Sequence, residues 1–526
     1  MPQPGDATDP LGIDPAAVPL GHGRMRVPVA AELGTAGYHI QAGVAVSARA
    51  GLAGSLLWEL PFWLGLFFWS LYPSLSTPWF EIGTIPVSSK DLLAIGLTAF
   101  YVFYAVVSAP VPRGSGGQAE WVMSRVSWHG HLPALTIGVV AYAALSTAWS
   151  PMELRDSKAM LYTLLTTASA VALGYVMIAN RPSDTVRAFL WRLTLYLAAL
   201  GLLYSAESLF SLGLRSDLGT ELDSGDFGIQ RVRGPLFASS TGFFILLPAA
   251  AFAVQQLVRR RTHWLLSWVV ALALITTLIM LGSRAALLLL GLFIVLLLFA
   301  YNKDTRRSAV VFLVIPSVLL AITLVFSVAD TSRFQDLHDE GRFETHRTSW
   351  QIIAHRPLMT TLLGSGYGSY WPWYLPDVEF GAAELYELGL YTGLVSNRFG
   401  ILLYHPHSTL LLLVVEAGVI GFLYFIALWF VLMRLLRRSL FGGTSAIFGI
   451  GVVVSGLSML SDLFLFRMPQ LSVLWWVFFF GALALNDNAA VERHGAVSRR
   501  LVGQTRLRTD ETVRSQSPPG PRMTPG

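Results

Sequence analysis

The stretch AALLLLGLFIVLLLFAY, residues 285–301, decides the class of fold. It contains no charged residue, and its length lies within the roughly 17 to 25 apolar residues with which a helix crosses a membrane. Inside hydrocarbon a backbone must satisfy its own hydrogen bonds, and a helix does so within a single segment. This stretch therefore predicts a membrane-spanning helix.

The whole chain repeats this pattern. Of its 526 residues, 54% are hydrophobic and only 13% are charged, whereas soluble domains carry roughly a quarter charged residues. The formal net charge of +5 comes from short basic clusters beside apolar runs, which set membrane orientation more often than they bind nucleic acid. Because cysteine is absent, disulfides, cysteine nucleophiles and thiolate metal sites are excluded.

Comparable runs along the chain predict an all-α polytopic membrane protein with about twelve transmembrane helices. The predicted spans are 52–73, 91–111, 132–149, 160–179, 188–211, 235–257, 264–282, 285–301, 308–328, 408–433, 444–466 and 470–486. Spans seven and eight are separated only by Ser283 and Arg284, which predicts a tight turn. A large external loop, 329–407, separates the ninth span from the tenth.

Basic residues in short loops favour the cytoplasmic side of a membrane. The clusters at 259–261, 303–307 and 434–438 and the arginine-rich tail fall on one side, which predicts cytoplasmic termini and a periplasmic loop. The N-terminal residues contain no apolar run long enough for a signal-peptide core. The predicted domains are a flexible N-terminus at 1–51, nine spans within 52–328, the loop at 329–407, three spans within 408–486 and a disordered tail at 487–526.

Three arginines on the predicted external side could bind a phosphate. Arg231 and Arg233 precede the sixth span, and Arg284 lies in the tight turn between spans seven and eight. A guanidinium offers paired planar donors to phosphate oxygens and stays charged, so these positions suit a lipid-linked pyrophosphate. Ordinary anchoring to lipid head groups explains the same positions.

The external loop contains further candidates. Residues 341–350 predict an amphipathic helix that ends before Pro357 and places Arg342 and His346 on one face. The glycines of 364–368 predict a turn, because the lysine and the strand context of a phosphate loop are missing. The rings of Tyr367 and Trp371 could stack on sugars or form an interfacial aromatic belt.

His407 and Glu416 flank the entrance to the tenth span. A neutral imidazole can accept a proton near pH 7, so His407 is a candidate general base, although a histidine at a helix mouth is more often structural. Glu416 would lie roughly 12 Å into the membrane, where a carboxylate is a functional candidate. Gly418 and Gly421 predict close helix packing. His405 and His407 alone do not form a metal site, and none is predicted.

The string from His407 to Gly421 resembles the signature of the O-antigen ligase and O-antigen polymerase superfamily, as does its position after a long external loop. Shorter elements upstream resemble the same family in the same order. They are Arg233-Gly234, Ser283-Arg284 and the loop motifs at 342–350 and 355–357 with the glycine turn. One departure is Ser239-Ser240-Thr241, where the family often has asparagine after its Arg-Gly element.

This resemblance implies a metal-independent glycosyltransferase of the bacterial inner membrane that uses no cofactor. Its donor would be an undecaprenyl-pyrophosphate-linked glycan, its acceptor a glycan or the lipid A core, and its other partners the lipid bilayer and further polysaccharide assembly proteins. The implied catalytic residues are His407, Arg284 and Arg342. The implied donor-binding residues are Arg233, Arg231, His346, Tyr367 and Trp371, and the supports of the helix mouth are Glu416, Gly418 and Gly421.

The sequence leaves the reaction open. Within the superfamily a ligase moves a finished polymer onto the lipid A core, whereas a polymerase extends a lipid-linked chain. A transporter or flippase of lipid-linked oligosaccharide would need the same spans and basic pockets but no catalytic base, and the absence of a convincing internal repeat argues against it. A purely structural subunit would not depend on His407 or on the external arginines.

Overall fold

The structure is a computed structural model, and it describes only part of the chain. The described residues are 58–70, 78–82, 85–107, 128–149, 154–179, 181–210, 236, 242–259, 264–281, 283–301, 346, 349–350, 353–354, 356–367, 394–397, 400–403, 408–442, 446–460, 465 and 469–486. The predicted N-terminal region 1–51, the ninth span 308–328 and the tail 487–526 lie outside them. Those predictions stay predictions.

Helices dominate the described part of the chain. They are α1 (58–70), α2 (Ser89–Val107), α3 (Trp128–Ser146), α4 (Leu154–Ile178), α5 (Ser183–Phe210), α6 (Phe243–Val258), α7 (Trp264–Met280), α8 (Arg284–Tyr301), α9 (Leu358–Leu363), α10 (Thr409–Gly442), α11 (Ala446–Leu457) and α12 (Pro469–Asn486). A 3₁₀ turn, Ser458–Leu460, continues α11. Every predicted span except 308–328 overlaps one of these helices, which confirms the helical class.

Length and hydropathy separate the helices into two groups. Within the described residues, three helices are long and apolar enough to cross a membrane, namely Ser183–Glu207, Thr409–Leu440 and Pro469–Asn486. Shorter apolar helices lie at Leu92–Tyr104, His131–Ser146, Leu164–Ile178, Phe243–Val258, Trp264–Met280, Ala285–Ala300 and Ala446–Leu460. The chain is therefore a helical membrane protein, and the count of about twelve spans stays a prediction.

The centre of the bundle is formed by α6, α11 and α12. The apolar window of α12 is 94% buried, compared with 50% for that of α5, so α12 is enclosed by protein and α5 faces outward. The indole Nε1 of Trp475 donates to the Ser455 hydroxyl at 3.1 Å, and the Phe448 amide donates to the Gln255 side chain at 3.0 Å. These bonds satisfy polar groups that would otherwise be costly in an apolar core.

Two short antiparallel hairpins depart from the all-α prediction. The first pairs β1 (Pro78–Ile82) with β2 (Ile85–Ser88), directly before α2. The second pairs β3 (Leu394–Asn397) with β4 (Gly400–Leu403), within the predicted external loop. Strands of four or five residues are too short to produce a distinct hydrophobic pattern, which is why the sequence did not reveal them.

A buried ion-pair cluster of Glu59, Arg181 and Arg192 ties α1 to α5. Glu59 is completely buried, and Nη2 of Arg192 donates to its two carboxylate oxygens at 2.7 and 2.8 Å. The indole of Trp63 donates to the same carboxylate at 3.1 Å, and Arg181 approaches it to 3.7 Å. Burial lowers the pKa of Arg181 to about 10, while Glu59 opposes this shift. Arg181 therefore keeps its charge near neutral pH.

Candidate functional site

Helix α10 is broken at Gly418, which has φ 60° and ψ −142°. This backbone conformation is open to glycine and strained for residues with a Cβ. A Cβ at Gly421 would lie 2.2 Å from the carbonyl oxygen of Leu413, across the break. The two glycines predicted to allow close packing therefore allow the helix itself to change course.

Arg356 caps the end of the first half of α10. A helix terminus leaves its last carbonyls without an intrahelical donor. The Arg356 guanidinium donates to the Val415 oxygen through Nη1 and to the Val414 oxygen through Nη2, both at 3.0 Å. A cation at a helix C-terminus also interacts favourably with the negative end of the helix dipole. Arg356 therefore stabilises the break both by hydrogen bonds and by this charge–dipole attraction.

The turn at 364–367, hereafter the cap turn, completes the cap. The Ser365 amide and hydroxyl donate to the Val415 oxygen at 3.2 and 3.0 Å, and the Gly366 amide donates to the Glu416 oxygen at 3.1 Å. A Cβ at Gly364 would lie 2.1 Å from the Glu416 oxygen. The turn predicted from the glycines is present, and its glycines permit backbone to approach backbone.

The cap turn is also fastened to α3. The Tyr367 amide donates to the Ser146 hydroxyl at 2.9 Å, and the Tyr142 hydroxyl donates to the Leu363 oxygen at 2.7 Å. Helices α3 and α10 are thereby joined through a segment that is distant from both in sequence. The site is a junction of α3, α9, the cap turn and the first half of α10.

Tyr367 and Glu416 meet at the centre of this junction. Tyr367 is 2% exposed and Glu416 is 0% exposed. Burial, and to a smaller degree the Glu416 carboxylate, raise the pKa of Tyr367 well above its ordinary value. The phenol therefore stays protonated through the physiological range. Its burial argues against sugar stacking and favours a supporting role beside Glu416.

The N-terminus of α10 is capped by Ser408. The Leu411 amide donates to the Ser408 hydroxyl at 3.3 Å, and the Leu412 amide donates to the Ser408 carbonyl at 3.1 Å. Serine is a favoured N-cap because its oxygen accepts from an unsatisfied amide of the first turn. The chain is thus fixed at the residue that directly follows His407.

The other predicted residues are described in part or not at all. Helix α7 ends at Met280 and α8 begins at Arg284, so the connection between the two helices is short, as predicted. His346 is half-buried, and its Nε2 atom is buried without a hydrogen-bond partner in the part of the chain that the structure describes. Outside the described residues lie Arg231, Arg233, Arg342, Trp371 and His407. Their proposed roles stay predictions.

Sequence reasoning missed Arg356 as a structural centre of the site. Its partners Val415 and Val414 are 59 and 58 residues away in sequence, so no local pattern connects them. One signal was available, because Arg356 directly precedes an uncharged stretch, 357–376, within the predicted external loop. An arginine at the edge of such a stretch needs polar partners.

One comparison with known proteins bears on this junction. Residues 268–426 match the family model described as O-antigen ligase. The matched range begins in α7, contains the turn at Ser283 and Arg284 and the cap turn, and ends in α10 beyond the break. No curated protein matches the chain. The family match supports the superfamily resemblance and implies an enzyme that transfers glycosyl groups.

Proposed function

We propose that this member of the O-antigen ligase and polymerase superfamily transfers a glycan from undecaprenyl pyrophosphate to an acceptor hydroxyl at the periplasmic face of the inner membrane. The family match over 268–426 carries the proposal. It includes α10 up to Ile426, and hence the string from His407 to Gly421, and it also includes Arg356 and the cap turn.

The proposed reaction is a single displacement at the anomeric carbon of the donor. The acceptor oxygen forms a bond to this carbon as the bond between the carbon and the pyrophosphate oxygen breaks. His407 accepts the proton of the attacking hydroxyl. Arg284, Arg342 and Arg233 stabilise the negative charge that develops on the leaving pyrophosphate, with Arg231 as a further cation. The reaction as proposed requires no metal ion.

The described geometry supports this assignment because it fixes the position of the half-helix that directly follows His407. Catalytic groups work best when their own positions are fixed by packing and hydrogen bonds. The Ser408 cap, the break at Gly418 and the Arg356 contacts fix the first half of α10 at both its ends. His407 directly precedes this half-helix, so its backbone is anchored on one side. A base that orients the acceptor needs such a fixed position.

The test is glycan transfer by the purified protein in liposomes without added metal. The substrates are undecaprenyl-pyrophosphate-linked repeat units, offered with and without lipid A core. Longer lipid-linked chains would identify a polymerase, and product that forms only with lipid A core would identify a ligase. Movement of the carrier between leaflets without a covalent product would overturn the proposal in favour of a flippase.

A further inference from the structure

The short helix α9 carries an exposed apolar face. Leu358 and Met359 are 73% and 70% exposed, and Leu362 and Leu363 are 43% and 44% exposed. None of the residues of α9 is buried. Large apolar side chains grouped in this way mark a surface that meets something other than water.

The contacts of α9 and the cap turn with α10 and α3 show how far along these two helices α9 lies. The cap turn contacts the carbonyls of Val415 and Glu416, seven residues or about 10 Å into α10 from Thr409 at 1.5 Å per residue. Leu363 accepts a hydrogen bond from Tyr142, which lies one turn inside the end of α3. The first contact places the cap turn beside the interior of a candidate membrane span instead of beyond its end, and the second places Leu363 beside the last turns of a shorter apolar helix.

Several backbone amides of this segment are satisfied by protein. The Thr361 amide donates to Pro357, the Gly364 amide to Thr360, and the amides of the cap turn donate to α10 and Ser146. Pro357 has no amide hydrogen to satisfy. Non-helical backbone at membrane depth is tolerated where protein groups complete its hydrogen bonds. Residues 357–376 also contain no charged side chain.

We propose that Leu358–Leu363 is a re-entrant, lipid-facing segment whose apolar side chains contact the acyl chains of the leaflet into which α10 enters. The helices that hold it expose apolar side chains as well, Leu145 on α3 at 63% and Leu423 on α10 at 57%. Exposed apolar side chains are therefore present on α9 and on both helices that hold it. This inference concerns lipid contact and does not rest on glycan transfer.

Because the chain contains no cysteine, single cysteines can be introduced without changing the background. Leu358→Cys and Met359→Cys are suitable, since both side chains are exposed and their replacement leaves the core unchanged. Leu288→Cys on α8, 76% exposed, is the lipid-facing reference. Asp184→Cys is the aqueous reference, since the Asp184 side chain is 84% exposed.

Each variant is labelled with an environment-sensitive fluorophore and placed in phospholipid nanodiscs, which leave both faces open to water. Doxyl-labelled phospholipid should quench the labels at 358 and 359 as strongly as at 288, and at least twice as strongly as at 184. Aqueous iodide should show the opposite order. Strong iodide quenching at 358 and 359 would overturn the proposal, and so would protection from both quenchers, since protein would then cover the face.

Discussion

At the scale of single residues, the site depends on a guanidinium that binds backbone. Arg356 donates to two successive carbonyls of α10, so its side chain holds the end of the half-helix together with the cap turn. A lysine ammonium has the same charge but lacks the planar fork that reaches two acceptors at once. Removing the side chain takes the guanidinium donor from the Val414 carbonyl, while the Val415 carbonyl keeps the donors of Ser365.

Arg356→Ala should lower the free energy of unfolding by roughly 2 to 4 kcal/mol, because two charge-assisted hydrogen bonds are lost. Arg356→Lys should recover part of this loss. The measurement is thermal unfolding in detergent, with Arg187→Ala as the control, since Arg187 pairs with Asp184, whose side chain is 84% exposed. Equal stability of Arg356→Ala and wild type would show that the cap contributes nothing.

His407→Ala and Arg284→Ala should each abolish glycan transfer while the protein remains folded in the membrane. The proposed base and one proposed leaving-group cation are removed, while Arg356 and its two carbonyl acceptors in α10 are left in place. Product formation in liposomes is compared with that of His131→Ala, in which an exposed histidine at the start of α3 is replaced. Normal product from both test variants would remove the proposed mechanism.

Tyr367 should make stability fall at alkaline pH. Its pKa in the folded protein is raised well above the ordinary value by burial and by Glu416. A phenol with a raised pKa stabilises the fold below the unfolded pKa of roughly 10, and this contribution is lost as the pH rises above that value. Tyr367→Phe should flatten the decline in unfolding temperature above pH 10. An identical decline in both proteins would contradict this assignment.

At the scale of elements, α10 is two half-helices joined by a glycine. The break lies inside the apolar run that predicted the tenth span, and the sequence there reads as an ordinary membrane helix. Glycine is common in such helices, so the presence of Gly418 alone does not predict a break. What decides the conformation is the cap turn, whose Gly364 amide occupies the space that a Cβ at Gly418 would need.

Gly418→Ala should therefore destabilise the protein by about 3 kcal/mol or more. The added Cβ would lie 2.4 Å from the Gly364 amide nitrogen and 2.5 Å from the Leu362 oxygen, and the positive φ adds strain of roughly 1 to 3 kcal/mol. Gly138→Ala on α3 is the matched control, because a Cβ there meets nothing within 4 Å. It should be neutral or stabilising by up to about 1 kcal/mol.

The measurement is the fraction of monodisperse protein after extraction, followed by thermal unfolding of that fraction. If Gly418→Ala behaves like Gly138→Ala, the break at Gly418 is not required by the packing of the cap turn against α10.

At the scale of the whole molecule, the junction and the ion-pair cluster lie at opposite ends of α4. Ser146 precedes this helix and Arg181 follows it, and its 25 residues extend about 37 Å at 1.5 Å per residue. One end thus holds the proposed chemistry, and the other holds a buried carboxylate with two guanidiniums. The two ends can be perturbed separately.

Glu59→Gln should destabilise the protein by roughly 3 kcal/mol, because two arginines lose their buried counter-charge. Glycan transfer per folded molecule should be unchanged, since the cluster is remote from the junction. Asp184→Asn is the control, and loss of its exposed pair with Arg187 should alter stability by at most about 1 kcal/mol. Loss of transfer in folded Glu59→Gln would show that the two ends are coupled.

The sequence predicted the helices far better than the connections between them. Apolar runs are local signals, so spans such as 264–282 and 470–486 agree closely with α7 and α12. The contacts of Arg356 join positions far apart in the chain, and a single sequence has no feature that pairs them. Of the predicted site, the glycine turn and the turn before α8 are present. The role of His407 awaits the transfer assay.

The break in α10 has a consequence for biogenesis. A carbonyl left open in hydrocarbon costs several kcal/mol, and the carbonyls of Val414, Val415 and Glu416 rely on donors at 356–366. Synthesis proceeds from the N-terminus, so these donors leave the ribosome before α10 does. When the half-helix reaches the translocon, the residues that cap it have therefore already been synthesised. A circular permutant that placed 356–367 behind α10 would reverse this order and deliver an uncapped helix to the bilayer.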